Sequence, residues 1–149
     1  MNPYIRFALM LLTSGLLMYG LMYLHTYETG HVFFSQTRAW MTVIMVAGMA
    51  VVMLGFMQGM YKNKRLNLGI LGLVAVVFAG SLWLLRSQAT VDDVSYMKAM
   101  IPHHSIAILT SKRARIDDPR VRELADEIIA AQEREIAEMK ALIDDLESR

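Results

Sequence analysis

Four side chains that can bind a metal ion lie close together near the start of the polar C-terminal region. They are Met97, Met100, His103 and His104. At about 100° per residue on a helix, these side chains lie within an arc of roughly 120° and share one face. Thioether sulfur combined with imidazole nitrogen favours copper, especially Cu(I). The alternative is that the methionines are core residues and the histidines are ordinary buried or surface groups.

Two polar residues interrupt the apolar stripe of the last predicted helix, to which Met139 belongs. Gln132 lies near the centre of that stripe, and Glu135 is only about 40° from Met139. An isolated polar side chain in this position would lose solvation without gaining a partner. Antiparallel pairing of the last two helices brings the Met139 thioether and the Glu135 carboxylate opposite the Met/His group. The alternative is that Gln132 and Glu135 form a hydrogen-bonded pair between the helices that fixes their register.

The same residues carry a family resemblance over the last third of the chain. They are Met100-Ile101-Pro102-His103-His104, Ala107, Asp118-Pro119, Leu124-Ala125, Ile128-Ile129, Gln132, Glu135-Ile136 and Met139. This pattern resembles domain of unknown function 305, a family placed among the ferritin-like helical proteins. The resemblance implies extracytoplasmic copper binding, with Met100, His103, His104 and Met139 as ligands. Met97 is an additional local candidate, and Gln132 and Glu135 are candidates for supporting contacts around the metal.

Composition and charge exclude several classes of protein. Of the 149 residues, 55% are hydrophobic and 19% are charged, which excludes a disordered chain. A net charge of +1 offers no electrostatic basis for nucleic-acid binding, so no nucleic-acid partner is predicted. The sequence contains no cysteine, which removes disulfides and thiolate metal sites. No catalytic triad order, phosphate-binding loop or pair of catalytic carboxylates is recognisable, and the chain is predicted not to be an enzyme.

Three apolar segments predict a multi-pass membrane domain over residues 1–86. The segments cover approximately residues 4–24, 40–60 and 66–85, and each is long enough to cross a hydrocarbon core of about 30 Å. Arg6 is their only Lys, Arg, Asp or Glu residue, and it lies near a segment end, where its side chain reaches the lipid headgroups. The chain as a whole is therefore predicted to be a membrane protein.

The distribution of Lys and Arg predicts the orientation of the spans. The turn at residues 61–65 contains three cations, whereas the loop at residues 25–39 contains only Arg38 and also carries Glu28. Short cationic loops tend to remain in the cytoplasm. We therefore expect a cytoplasmic N-terminus and an extracytoplasmic C-terminal region, in the cell membrane and specifically a bacterial inner membrane.

The region from residue 87 to residue 149 predicts a hairpin of two helices, which makes the fold all-α. The helices are expected at about residues 91–115 and 119–146, separated by a turn in which Asp118 caps the second helix and Pro119 occupies its first position. The result is a ferritin-like half-bundle outside the cytoplasm. A hairpin of about 60 residues has a marginal core, so a homodimer that forms a four-helix bundle is predicted. The alternative is a monomer whose hairpin lies against the membrane.

Methionines also recur in the second apolar segment. Met41, Met45, Met49, Met53 and Met57 follow one another at intervals of four residues. The resulting strip winds by roughly 160° around a helix, and methionine is an adaptable packing residue. Packing is therefore favoured over metal passage. The candidates for a secondary metal-capture patch are Met18, Met22, His25, His31 and Met41.

These observations predict a membrane-anchored, extracytoplasmic copper-binding protein for metal buffering, tolerance or delivery. Copper would be bound by Met and His side chains. The alternative from a different class is a structural or interaction module whose hairpin docks a partner without metal. A metal-dependent redox enzyme is a third possibility.

Overall fold

The computed structural model describes residues 2–148, and its regular structure is helical. Within these residues, five α-helices follow one another, with one short 3-10 turn at Thr29–His31. No β-strand occurs between residues 2 and 148, which confirms the predicted all-α class. The helices are α1 (Pro3–Leu21), α2 (Gln36–Phe56), α3 (Lys64–Ser87), α4 (Asp93–Arg113) and α5 (Pro119–Glu147).

Helices α1, α2 and α3 are long and apolar enough to cross a membrane. They contain 19, 21 and 24 residues. At a rise of about 1.5 Å per residue, their lengths are about 29, 32 and 36 Å, close to the thickness of a hydrocarbon core. This agrees with the predicted membrane protein.

Residue contacts divide the chain into two compact units. The membrane unit contains α1, α2 and α3, and the extramembrane unit contains the hairpin of α4 and α5. The extramembrane unit also includes Tyr23–Gln36, the connection between α1 and α2. This connecting loop therefore folds with the hairpin, although about 55 residues of membrane unit separate the two in sequence.

In the membrane unit, small and aromatic side chains mediate the packing. Gly15 of α1 lies against α2, since a β-carbon at that position would be only 3.0 Å from Val46 Cγ2. A buried cluster contains Phe7, Ala50, Leu54 and Tyr61, and Met53 and Met57 pack against it. Two methionines of the second apolar segment thus have a packing role, as methionine commonly does in helix interfaces.

The hairpin forms because both of its helices have strong N-caps and apolar stripes. The Asp92 carboxylate accepts a hydrogen bond from the Ser95 amide at 2.7 Å, and Asp118 caps α5 in the same way, with Pro119 following. Helix α4 begins two residues later than predicted because Asp92 serves as its cap. Helix α4 continues through Pro102, which is buried.

The core of the extramembrane unit lies between the two hairpin helices and the connecting loop. Its buried residues are Met97, Ile101, Ile108, Ile136 and Ile143. Tyr27 and Phe33 of the connecting loop pack against this cluster. The loop therefore adds a third layer to the hairpin, and this layer bears directly on the candidate site.

Candidate metal site

Helix geometry places Met97 and His104 on the same side of α4. They are seven residues apart, which leaves only about 20° between their directions. Met97 is 7% exposed and belongs to the core, whereas His104 is half-buried. Both side chains point toward α5, where Met139 packs against the same core.

An open groove between α4 and α5 brings these side chains together. Its volume is about 610 Å³. The residues that line it are Asp93, Tyr96, Met97, His104, Glu135, Glu138, Met139, Leu142 and Leu146. Three of the five predicted metal ligands and one of the two predicted supporting residues thus share one groove.

The other two predicted ligands lie beside the groove. Met100 is half-buried and His103 is exposed, and neither lines the groove. Their directions on α4 differ from that of His104 by about 40° and 100°. The His103 and His104 rings are nevertheless neighbours, with centroids 6.2 Å apart. The donors thus form a band that runs from the exposed surface of α4 into the groove.

Contacts across the hairpin determine the electrostatics of His104. Its Nδ1 atom lies 3.1 Å from Glu135 Oε2, but the orientation is not that of a hydrogen bond, and this buried nitrogen has no hydrogen-bond partner. Burial lowers the pKa of His104 below the usual value; the nearby Glu135 carboxylate opposes this shift and the His103 ring adds to it. His104 is therefore neutral at pH 7, the form in which imidazole binds metal ions.

Gln132 and Glu135 contact each other within α5. The Gln132 side-chain amide donates to Glu135 Oε2 at 3.5 Å, a long hydrogen bond between residues three apart. This hydrogen bond lies within α5 and does not itself bridge the two helices. The contact between helices is instead made by Glu135 with His104.

The described residues contain no conventional cluster of metal-binding side chains. Between residues 2 and 148, no three His, Cys, Asp or Glu side chains come together in a group able to hold a metal ion. The possible donors that line the groove are two thioethers, one imidazole and the carboxylates of Asp93, Glu135 and Glu138.

Sequence reasoning missed the residues that connect the loop to the hairpin. His31 was expected in a metal-capture patch, but it is 6% exposed and its Nδ1 atom lies 3.0 Å from Ser105 Oγ on α4. The Tyr27 amide donates to the same oxygen at 2.7 Å. These partners are 74 and 78 residues apart, and no local pattern in the sequence pairs them.

Comparison with known proteins identifies the family. The model of the family described as Domain of unknown function (DUF305) matches residues 92–149. Uncharacterized protein L153 of Acanthamoeba polyphaga mimivirus is 38% identical over 111 residues, which cover 71% of this chain and 69% of that protein. This alignment is longer than the DUF305 match and therefore extends into the residues before α4. No solved structure matches the chain. The chain therefore belongs to the DUF305 family, as the Met/His pattern of α4 and the polar positions of α5 predicted.

Proposed function

We propose that this protein is a membrane-anchored, extracytoplasmic copper-binding protein that buffers, detoxifies or delivers Cu(I). The observation that supports the proposal is the single groove in which Met97, His104 and Met139 meet. Among the donors that line this groove, the two thioethers and the neutral imidazole suit a soft monovalent ion better than a hard divalent one. The proposal assigns the protein no enzymatic activity.

The donors outside the groove have a role in this proposal. His103 is exposed and Met100 is half-buried beside it. In the proposed function, these two side chains meet an incoming copper ion first, and the groove then holds it. Glu135, whose Oε2 atom lies 3.1 Å from His104 Nδ1, balances the positive charge of the bound ion. Gln132 orients that carboxylate through its long hydrogen bond.

The proposed location is the cell membrane of a bacterium, with the hairpin outside the cytoplasm. The cationic turn at residues 61–65 supports this orientation. The connecting loop and the hairpin share one compact unit, which requires both to lie on the same side of the membrane. Two membrane crossings by α2 and α3 satisfy that requirement. A protease added after any outer envelope has been permeabilised should remove a C-terminal tag. Protection of the tag until the inner membrane is broken would reverse the orientation.

Competition with a chromogenic Cu(I) chelator tests the copper proposal. The experiment should use the full chain in detergent, because the connecting loop contributes to the core of the extramembrane unit. Leucine replaces methionine at nearly constant volume, so Met97→Leu and Met139→Leu remove sulfur with little change in packing. Met45→Leu, on the exposed side of α2, is the matched control.

We expect each groove variant, and His104→Ala, to weaken Cu(I) binding by more than about tenfold, since even residues around a metal's ligands commonly contribute 10- to 100-fold. The control should bind as the wild type does. Equal binding by the wild type and a variant lacking all three groove donors would refute the copper proposal. The alternative of a metal-free docking module would then be the better explanation of the groove.

A further inference from the structure

The connecting loop is fastened to α4 at one buried hydroxyl group. Ser105 has no exposed surface, and its Oγ atom accepts a hydrogen bond from the Tyr27 amide at 2.7 Å. The Nδ1 atom of His31 lies 3.0 Å from the same oxygen, and His31 is itself 94% buried. We call these three residues, Tyr27, His31 and Ser105, the loop clasp.

The hydrogen bonds of the loop clasp define the roles of its groups. A serine hydroxyl has one proton to donate and two lone pairs. Because the Tyr27 amide already donates to Ser105 Oγ, the hydroxyl proton is free to point at His31 Nδ1, which accepts it when the ring is neutral. The remaining ring proton is then on Nε2, which lies 3.6 Å from Glu28 Oε2. The Ser105 hydroxyl and His31 Nδ1 thereby satisfy each other in a buried position.

The loop clasp lies just beyond Pro102 of α4. Pro102 has no amide hydrogen, so the Lys98 carbonyl loses its usual helical partner. The segment 103–113 that follows is therefore less firmly joined to the first half of α4. Ser105 lies in this segment, immediately after His104.

A second contact holds the far end of the same segment. Lys112 Nζ lies 4.6 Å from the centre of the Tyr27 ring, and it also forms an ion pair with Glu133 of α5 at 2.8 Å. The segment after Pro102 is thus held by the connecting loop at both Ser105 and Lys112. These contacts fix how α4 is rotated about its own axis beyond the proline.

We propose that His31 is a positioning residue for the candidate metal site: through Ser105, it fixes the segment of α4 beyond Pro102 in the rotation that turns His104 into the groove. A rotation of this segment by one residue, about 100°, would move His104 out of the groove and leave Met97 and Met139 without an imidazole. This inference rests on the proposed copper function, and it adds a residue from outside the family-matched region to the site.

Variants at His31 separate positioning from simple packing. His31→Phe retains an aromatic ring but removes the hydrogen bond to Ser105, whereas His31→Asn places an amide where Nδ1 lies and retains a hydrogen-bonding partner. Ser105→Ala removes the hydroxyl with the smallest change in volume. Val32→Ser alters an exposed neighbour in the same loop and is the control.

Two measurements on the full chain in detergent are needed: Cu(I) affinity by chelator competition, and hydrogen–deuterium exchange of the metal-free protein. We expect His31→Phe and Ser105→Ala to weaken Cu(I) binding about tenfold, the low end of the effect of residues around metal ligands. Exchange in residues 103–113 should rise, while exchange in α5 remains unchanged. His31→Asn should restore both properties, and Val32→Ser should affect neither.

The two measurements distinguish failure of the positioning role from failure of the copper proposal. Wild-type affinity in both His31→Phe and Ser105→Ala would overturn the positioning role while leaving copper binding intact. Absence of Cu(I) binding by the wild type would refute the proposed function. In that case, raised exchange confined to residues 103–113 in His31→Phe would still support control of this segment by His31, and unchanged exchange would overturn it.

Discussion

The most informative test of the hairpin core is the replacement of Ile101 by alanine. Ile101 has no exposed surface and lies in the cluster that includes Met97. Removing three buried carbon atoms costs about 2.4 kcal/mol in transfer free energy at about 0.8 kcal/mol each. The cavity that remains raises the expected cost to about 3–4 kcal/mol.

This cost is large relative to the stability expected for the extramembrane unit. At about 0.05–0.15 kcal/mol per residue, a unit of roughly 70 residues has about 4–11 kcal/mol of stability in total. Ile101→Ala should therefore bring the unit close to unfolding, whereas Ile101→Val should cost only about 1 kcal/mol. Leu142→Ala is the surface control, because Leu142 is 46% exposed and its truncation leaves little cavity.

Urea-dependent hydrogen exchange of the detergent-solubilised full chain measures these differences. Protected amides of α4 and α5 report the free energy of opening of the extramembrane unit, independently of the membrane helices. The expected order of stability loss is Ile101→Ala, then Ile101→Val, with Leu142→Ala losing no more than the valine variant. Equal losses for Ile101→Ala and Leu142→Ala would show that the hairpin core is not where the structure places it.

Three further predictions concern packing, pH and assembly. Gly15→Leu should destabilise the membrane unit by about 1–3 kcal/mol, because the leucine side chain would collide with α2. Gly20→Leu is the control, because its side chain meets open space, and it should leave the melting temperature in detergent unchanged. Equal effects of the two substitutions would contradict the packing of α1 against α2. Burial and then Lys140 lower the pKa of His31, against an opposing contribution from Glu28. As the pH falls, the unfolded chain therefore takes up a proton on His31 before the folded protein does. The contribution of His31 to stability is complete above about pH 6.5 and is lost as the pH falls through the lower pKa of the folded state. Urea titrations of the extramembrane unit at several pH values measure this effect, and a rise in stability on acidification would contradict it. The full chain should sediment in detergent as a homodimer, because a second copy would cover the apolar side chains that the hairpin exposes. A monomer at micromolar concentration would contradict the dimer.

Much of the helical architecture was predictable because it depends on local patterns. Long apolar runs indicated α1, α2 and α3, and the Asp118-Pro119 pair indicated the start of α5. The start of α4 was less accurate because Thr90 and Asp92 are both residue types that cap helices, and Asp92 takes that role. This choice depends on which side-chain oxygen reaches a free amide at the start of the helix.

The candidate site was only partly predictable, because facing the same side of a helix is a weaker condition than sharing a groove. The periodicity of α4 indicated one arc for all four donors, but the groove includes only the edge of that arc defined by Met97 and His104. The contact between His31 and Ser105 was beyond prediction from the sequence. It depends on how the chain returns to the same place after two membrane-length helices.

The discontinuous construction of the extramembrane unit has a consequence for biosynthesis. Tyr27 is synthesised 78 residues before its partner Ser105. At about 5–20 residues per second, the connecting loop must wait roughly 4–16 s before Ser105 is synthesised. During that interval Tyr27 and Phe33 have no hairpin core to enter, so the loop is a point at which a chaperone or protease can act on the nascent chain. This period of exposure ends when the last two helices are complete and the loop can pack against them.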